Sequence, residues 1–377
     1  MLAQTPPMGF NTWNTFGNRI DAKLIRECAE AMVDQGLLKA GYIYLVIDDC
    51  WSEYLRDPET HRLVPSHEKF PDGMKAVADD VHAHGLKFGM YSCDGVRTCG
   101  DYPGSFGHEF LDAETFASWG MDYLKYDNCY RPGSADQKML YARMGMALRA
   151  SGREILFSAC NWGQEESWRW IRAAGAHMYR STGDIFDNAE SYRSIALSQR
   201  GHLCASAPGC FNDIDMLTVG MYGKGLVGTT GCGDADYRSQ FALWCLYSAP
   251  LMLGCDIRSM TPFIHDLVTN PGLIAINQDP EARPPIFIGE GGERPGTLTA
   301  FKFLSDGSYA LGLFNLSEED REIPVLFEDA GLPFDSGYGL RLTDVFTGED
   351  AGFYREYYRA RVPAHDCAVL RGRLSRA

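Results

Sequence analysis

The stretch "YLKYDNCY", residues 123–130, is a strand-like segment that carries a lysine and an aspartate two residues apart, Lys125 and Asp127. In an extended strand that spacing puts both side chains on one side. An ammonium beside a carboxylate favours its charged form. Comparable groups close other apolar segments: Trp13; Asp48, Asp49 and Trp51; Tyr91; Cys160, Asn161 and Trp162; Arg180 and Asp184; Asp213 and Asp215. Almost no histidine is among them, so the set does not read as a metal centre. It suits a sugar, whose hydroxyls meet charged donors and acceptors and whose C–H faces lie against Trp and Tyr. Taken singly these residues have structural readings. Asp48 and Asp49 could cap the next segment, and Trp13 and Tyr91 could be core. Cys129 could be a thiol nucleophile, but no strand-end histidine would activate it. Lys125 and Asp127 could be a structural ion pair, although burying such a pair rarely gains stability. Convergence of these segments on one kind of chemistry is what points to a site.

Such groups need a scaffold that ends many strands in one place. From residue 7 to about 255 one unit recurs, a short apolar strand followed by a helical pattern. Strands are predicted at 8–13, 42–49, 86–92, 123–127, 155–159, 177–182, 210–216 and 250–254. Helical stretches are predicted at 22–38, 73–84, 113–119, 135–151, 165–174, 188–200, 237–246 and 262–269. Leu24, Cys28, Ala31 and Met32 set the helical period of the first. Glycines in "AGY", "HGLKFG" and "WGMDYL" stand where a helix stops before a strand. Eight such units in about 250 residues predict an α/β fold, a (β/α)8 TIM barrel. An open doubly wound sheet is the rival; it would more typically have five or six strands, and no Gly-rich phosphate loop follows the first strand. In a barrel the carboxyl ends of the strands share one rim, and the groups above fall there.

The rhythm stops at "INQDPEARPPIFIGEGGERPG", which is rich in Pro and Gly and reads as a linker. Short strands follow at 297–303, 309–315, 322–327, 340–346 and 368–371, with "SDGS" as the hairpin turn between the first two. The expected domains are a catalytic barrel over 1–283 and a small antiparallel β-sandwich over 284–377. The 377 residues are 45% hydrophobic, enough for a sizeable core. Acidic residues outnumber basic ones 50 to 35, for a net charge of −15, which argues against nucleic acid. No run approaches the roughly 18 apolar residues of a membrane span, so no membrane partner is expected. No basic and apolar leader precedes the fold, so a cytoplasmic location is expected. The 12 cysteines show no paired CxxC framework and read mostly as small buried hydrophobes. Oligomeric state is left open between a monomer and a homo-oligomer.

Six motifs in order, "PPMGFNTWNTF", "VIDDCW", "FPDGMKAVADDVHAHGLKFGMYS", "CGDYPGSFGHEFLDAETFASWGMDYLKYDNC", "RSTGDI" and "NDIDML", resemble the family 27 glycoside hydrolases. These are the α-galactosidases and α-N-acetylgalactosaminidases of the melibiase group, bacterial α-galactosidases among them. The likeness runs from Pro7 to about Asp279, and the tail matches in type the β domain these enzymes carry. The resemblance implies a retaining exo-glycosidase that releases terminal α-linked galactose from an oligosaccharide or glycoconjugate, through a covalent glycosyl-enzyme and with no cofactor. By position it implies Asp127 as nucleophile and Asp184 as general acid/base. Asp48 and Asp49 would bind the galactose 4- and 6-hydroxyls with Lys125 beside them. Trp13 would form an apolar wall, and Tyr91 would line the pocket near the nucleophile. Arg180 would reach the 2- and 3-hydroxyl side, and Asp215 and Met216 would close the floor. Cys99 and Cys129 match a pair that is disulfide-bonded in secreted members.

Those roles carry physical expectations. Lys125 should keep Asp127 ionised. Asp184 should have a raised pKa so that it can donate a proton. Gly183 should let the backbone bring that carboxylate close. Residue 161 is Asn where many members have Glu or Ser. Cys160 or Asn161 could bond a 2-hydroxyl, and Trp162 is too bulky for an N-acetyl group. Asp49 suits a hexose better than a pentose. Galactose is therefore expected over the alternatives on this scaffold, α-N-acetylgalactosaminidase and β-L-arabinopyranosidase. A non-catalytic sugar-binding protein would lack one of the two carboxylates, and both are present.

Overall fold

The computed structural model describes residues 2–201, 205–288 and 296–376. Eight short strands form its first unit: β1 (Met8–Asn11), β2 (Tyr44–Val46), β3 (Lys87–Cys93), β4 (Tyr123–Asp127), β5 (Leu156–Cys160), β6 (Met178–Arg180), β7 (Phe211–Asp213) and β8 (Leu251–Leu253). They stand in the order β7-β6-β5-β4-β3-β2-β1-β8, and every neighbouring pair is parallel. A parallel bridge between Leu217 and Leu253 closes the ring, with the Leu217 N–H donating to Met252 O at 2.8 Å. A closed ring of eight parallel strands is a TIM barrel, and it excludes the open sheet.

Helices cover the outside because their apolar stripes need burial. In Ala22–Asp34 the buried side is Ile25, Cys28, Ala29 and Met32, and Asp21 caps the start by accepting from Leu24 N at 2.7 Å. Asp136, Asn188 and Thr261 cap Gln137–Ala150, Ala189–Ser198 and Pro262–Val268 in the same way. One predicted helix is absent. Residues 165–174 carry only a 3-10 segment, Gln164–Arg169, in which Glu165 and Glu166 have φ of 53° and 51°. Left-handed residues cannot continue an α-helix, and the Glu165 carbonyl is taken by Trp170 Nε1 at 3.0 Å.

Strand alternation decides what the barrel encloses. Tyr44, Val46, Tyr123, Leu156, Met178 and Met252 pack together, with Met216 against them. Two residues further along, the same inward faces turn polar. Register aligns Tyr91 with Lys125 and Lys125 with Ser158. It then aligns Cys93, Asp127, Cys160, Arg180 and Asp213 as one layer across β3 to β7. The aspartate two residues after Lys125 is thus one layer nearer the rim. Gly9 permits the tight approach of β1 to β2: a Cβ there would sit 2.4 Å from Tyr44 O.

The second unit is antiparallel. It comprises β9 (Ile286–Ile288), β10 (Thr297–Phe303), β11 (Tyr309–Asn315), β12 (Arg321–Leu326), β13 (Tyr338–Asp344), β14 (Asp350–Tyr354), β15 (Tyr357–Val362) and β16 (Cys367–Arg376). A six-stranded sheet, β14-β13-β16-β11-β10-β9, faces the pair β12-β15 across Phe301, Leu311, Leu313, Ile323, Val325 and Leu370. Sequence reading found five of these strands. It placed β9 inside the linker, where residues 289–295 lie outside the described residues. It missed β14 and β15, whose side chains are mostly half-buried or exposed and carry no apolar run.

Lys302 on β10 is fully buried and donates to Ser248 Oγ at 2.5 Å and Ile276 O at 3.1 Å, both in the barrel unit. Burial pushes its pKa from 10.5 down to about 8. Between those values the unfolded chain holds a proton that the folded chain has released, so this group makes stability rise with pH across that window. Urea midpoints for wild type and Lys302→Met at pH 8 and pH 10 read this directly. Wild type should gain on the variant by at most about 1.4 kcal/mol per pH unit; parallel pH dependences would refute the buried-cation account.

Candidate active site

A cavity of about 250 Å³ opens at the carboxyl ends of the strands. Asp127 closes β4 at its floor, 6% exposed. Its Oδ1 accepts from Asn128 N at 2.9 Å and its Oδ2 from Tyr91 Oη at 3.1 Å. Beside it, Asp48 Oδ2 accepts from Lys125 Nζ at 2.8 Å and from Asn11 Nδ2 at 2.7 Å. Lys125 also lies over the Tyr91 ring, 5.3 Å from its centroid. Lys125 is therefore bonded to Asp48 and not to Asp127. Burial raises the Asp127 pKa and outweighs the attraction of Lys125 and the Asn128 N–H; Asp48 and Asp184 push it further up. Lys125 favours the charged form of Asp127 as expected, but it opposes a desolvation effect larger than itself, and the net shift is upward.

Arg180 organises the other side. Its Nη1 pairs with Asp215 Oδ1 at 2.9 Å, and its Nη2 donates to Asp184 Oδ1 at 2.9 Å and to the carbonyls of Thr182 and Gly183 at 3.2 and 2.9 Å. Asp215 also accepts from Ile185 N at 2.7 Å and Met216 N at 2.6 Å. The Asp184 side chain is 65% exposed. Burial raises its pKa, but Arg180 and then Lys125 outweigh that and hold it below the ordinary carboxylate value. This reverses the expected direction for Asp184. Gly183 is not needed sterically either, since a Cβ there would meet nothing within 4 Å. Its contribution is the carbonyl that Arg180 grips.

Trp13, Asp49, Cys99, Trp162 and Met216 line the same cavity. Trp13 starts a helical turn, Trp13–Phe16, that follows β1 directly. Asp49 accepts from Cys50 N and Gly100 N, both at 2.7 Å, and burial pushes its pKa up to about 6. Cys99 and Cys129 are joined in a disulfide that ties the loop after β3 to the loop after β4. Their sulfurs and the Asp127 carboxylate lie within 4.8 Å of one another. With the sulfurs bonded to each other, no thiolate pair is free for a metal.

Two predicted contacts do not reach the cavity. Asn161 is fully buried and donates to Gln137 Oε1 at 3.2 Å and Gln164 O at 3.0 Å. The Cys160 thiol lies below the floor, 3.8 Å from Arg180 Nη1, in a small space shared with Asp213. Strand β5 runs on through Cys160, and alternation turns the next side chain outward. Trp162, with φ of 56°, swings back to the cavity. Trp51 belongs to the core: Nε1 donates to Tyr91 O at 2.9 Å and the ring packs on Phe116 and Trp119. Sequence reading missed Asn11, Asn14, Ile185, Phe186, Leu226 and Val227. Asn11 was findable, being two residues before Trp13 on the inner face of β1. Leu226 lies in a glycine-rich loop with no period to read.

One carboxylate is thus buried and fixed and the other exposed and held by a single guanidinium, across a cavity smaller than the about 300–1,000 Å³ of drug-sized sites. Such a pair can attack carbon with one group and move a proton with the other.

Known proteins carry the same architecture. The family model for α-galactosidase A, of the melibiase group, matches residues 5–279, and the model for the α-galactosidase C-terminal β-sandwich domain matches residues 300–371. An α-galactosidase from Cyamopsis tetragonoloba is 42% identical over 373 residues, covering 98% of this chain and 86% of that protein. α-Galactosidase A of Cellvibrio japonicus is 38% identical, covering 98% and 92%. Among solved structures, α-galactosidase I of Mortierella vinacea superposes with a TM-score of 0.90 at 32% identity, covering 98% of this chain and 97% of the other. The Saccharomyces cerevisiae α-galactosidase with raffinose gives 0.90 at 27% identity, covering 99% and 98%.

If Arg180 sets the charge of Asp184, removing the guanidinium raises that carboxyl's pKa. Carbon-13 carboxyl titration of aspartate-labelled Arg180→Met should show it, with the Asp184 resonance identified by its loss in Asp184→Asn. A resonance that titrates at the same pH with and without Arg180 would sink this account.

Proposed function

The chain belongs to the melibiase family of α-galactosidases, and from that premise we propose how its own residues divide the work. It hydrolyses terminal α-linked galactose with retention of configuration. Asp127 is the nucleophile and Asp184 the general acid/base. The observation that carries the reading is that one cavity of about 250 Å³ brings together a buried carboxylate held by two hydrogen bonds and an exposed one held by Arg180. Asp48, Asp49 and Lys125 take the 4- and 6-hydroxyl side of the galactose. Trp13 walls its apolar face, Tyr91 steadies the nucleophile, and Arg180, Asp215 and Met216 form the 2- and 3-hydroxyl side. The substrate is an oligosaccharide or glycoconjugate with a terminal α-galactose, and the yeast relative solved with raffinose supports the oligosaccharide class.

The resting electrostatics give the mechanism its order. Burial raises the Asp127 pKa while Arg180 lowers that of Asp184. When sugar hydroxyls take the Arg180 hydrogen bonds, Asp184 is released and its pKa rises. The proton then belongs on Asp184. Asp127, charged, attacks C1 as the C1–O bond breaks, and Asp184 hands its proton to the departing oxygen. In the second half Asp184 takes a proton from water, whose oxygen attacks C1 and frees Asp127. Two inversions restore the α configuration.

Asp127→Asn should abolish turnover. Asp184→Asn should retain more activity on nitrophenyl galactosides than on alkyl galactosides, because an acidic phenol leaves without a proton. Equal losses on good and poor leaving groups would remove Asp184 from the acid role and point to Asp213 or Asp215.

The 2-position gives a second test. Trp162 borders the cavity, so we expect α-galactose to be preferred over α-N-acetylgalactosamine by at least about a hundredfold in kcat/KM, roughly 2.7 kcal/mol of transition-state binding. Competing the two nitrophenyl glycosides in one reaction measures it. Comparable specificity constants would show that the Trp162 loop leaves room for the acetamido group.

A further inference from the structure

The cavity changes character with depth. Asp48, Asp49, Asp127 and Asp215 at its floor are 1%, 2%, 6% and 5% exposed. At its mouth stand two large apolar side chains, Phe186 and Leu226, 49% and 55% exposed. Phe186 follows Asp184 by two residues. Both residues are held in place. Asp187 N donates to Val227 O at 3.1 Å, which stitches the Phe186 loop to the Leu226 loop. Leu226 N donates to Asn14 O at 2.7 Å, and Phe186 N to Ser191 Oγ at 2.9 Å. Gly225, at φ of 84°, makes that approach possible, since a Cβ would lie 2.6 Å from Asn14 O. The Asp187 carboxylate anchors the junction by accepting from Gly223 N at 2.6 Å and Tyr237 Oη at 3.0 Å.

Two exposed apolar side chains fixed on cross-linked loops form a surface that water alone does not favour. They lie at the mouth of a cavity with room for one sugar ring, on the side of the group that protonates the leaving oxygen. We propose that Phe186 and Leu226 form a platform for the leaving group, which selects neutral α-galactosides whose aglycone presents a flat apolar face: a pyranose C–H face or an aryl ring. This rests on the assignment of Asp184 as the acid and deepens it by naming the class of aglycone. An anionic leaving group would meet the Asp184 carboxylate and would be disfavoured.

Methyl, benzyl and melibiose-type α-galactosides test the platform, because all three leave as alcohols and need the same protonation. Wild type should favour benzyl α-galactoside and melibiose over methyl α-galactoside in kcat/KM. Phe186→Ala should lower kcat/KM for the two larger substrates about tenfold, mainly through KM, and Leu226→Ala should do so less. Both should leave methyl α-galactoside and the inhibition constant of free galactose within about twofold. Phe186 is half exposed, so the variant should fold, which its melting temperature checks. A uniform loss on all three substrates, an unchanged profile, or a wild type indifferent to aglycone would each overturn the proposal. A wrong assignment of Asp184 would appear instead as equal losses on good and poor leaving groups in Asp184→Asn, and would leave this ratio readable.

Discussion

The rim of this barrel is built around one buried cation. Arg180 is 4% exposed and would be costly to bury alone. It is tolerable because Asp215 pairs with it and because Asp184 and two backbone carbonyls take its other hydrogens. Each of those partners is then fixed in turn. Asp215 orients Ile185 and Met216 through their backbone N–H groups. The Thr182 and Gly183 carbonyls curl the chain so that Asp184 sits over the cavity. The positions of the exposed carboxylate, the floor and the start of the apolar mouth all follow from satisfying one guanidinium. The same network lowers the Asp184 pKa, while burial raises that of Asp127. Any group that competes for Arg180 would therefore weaken what holds the Asp184 pKa down.

Lys125 has the matching role on the opposite side. Its bond to Asp48 neutralises that pair, and the Asn11 side chain completes the Asp48 shell. What remains for Asp127 is a diminished attraction set against full desolvation. Arg180 and Lys125 thus serve neighbouring carboxylates and leave Asp127, the proposed nucleophile, comparatively underserved. A carboxylate stabilised less than its neighbours keeps more of its nucleophilicity, whereas a direct lysine bond would have held its lone pairs.

How much of this was legible in the sequence depends on the period involved. The barrel was legible because eight apolar strands alternate with amphipathic stretches, and each Gly or cap residue marks an end. Most of the rim was legible too, since Asp48, Lys125, Asp127, Arg180 and Asp215 sit at strand ends where few structural reasons for charge exist. Side-chain direction beyond a strand end was not. Asn161 follows Cys160 immediately, and only the path of the chain decides that Asn161 turns into the wall while Trp162 turns back. Pairing was also hidden: sequence puts Lys125 nearest Asp127, but the strand neighbours across the barrel bring Asp48 closer. The missed strands β14 and β15 and the failed helix at 165–174 have the same cause, local patterns too weak to outweigh tertiary contacts. The apolar mouth was invisible because Leu226 belongs to a loop whose geometry rests on glycines and on Asp187.

The β-sandwich has a structural reason to stay attached to a barrel that already encloses the site. The long helix Asp234–Tyr247 links the two units. On one side its Trp244 Nε1 donates to Asp215 O at 2.8 Å, inside the Arg180 network. On the other, Ser239 Oγ donates to His365 O at 2.7 Å, Arg238 pairs with Asp366 at 2.6 Å, and Lys302 reaches Ser248 at the helix end. The helix is buried along nearly its whole length, so neither face could be left to solvent. Its inner face fixes the backbone of the residue that neutralises Arg180, and its outer face needs a partner of comparable rigidity. Through this helix the second domain braces Asp215 from behind, and among the described residues it contributes no side chain to the cavity.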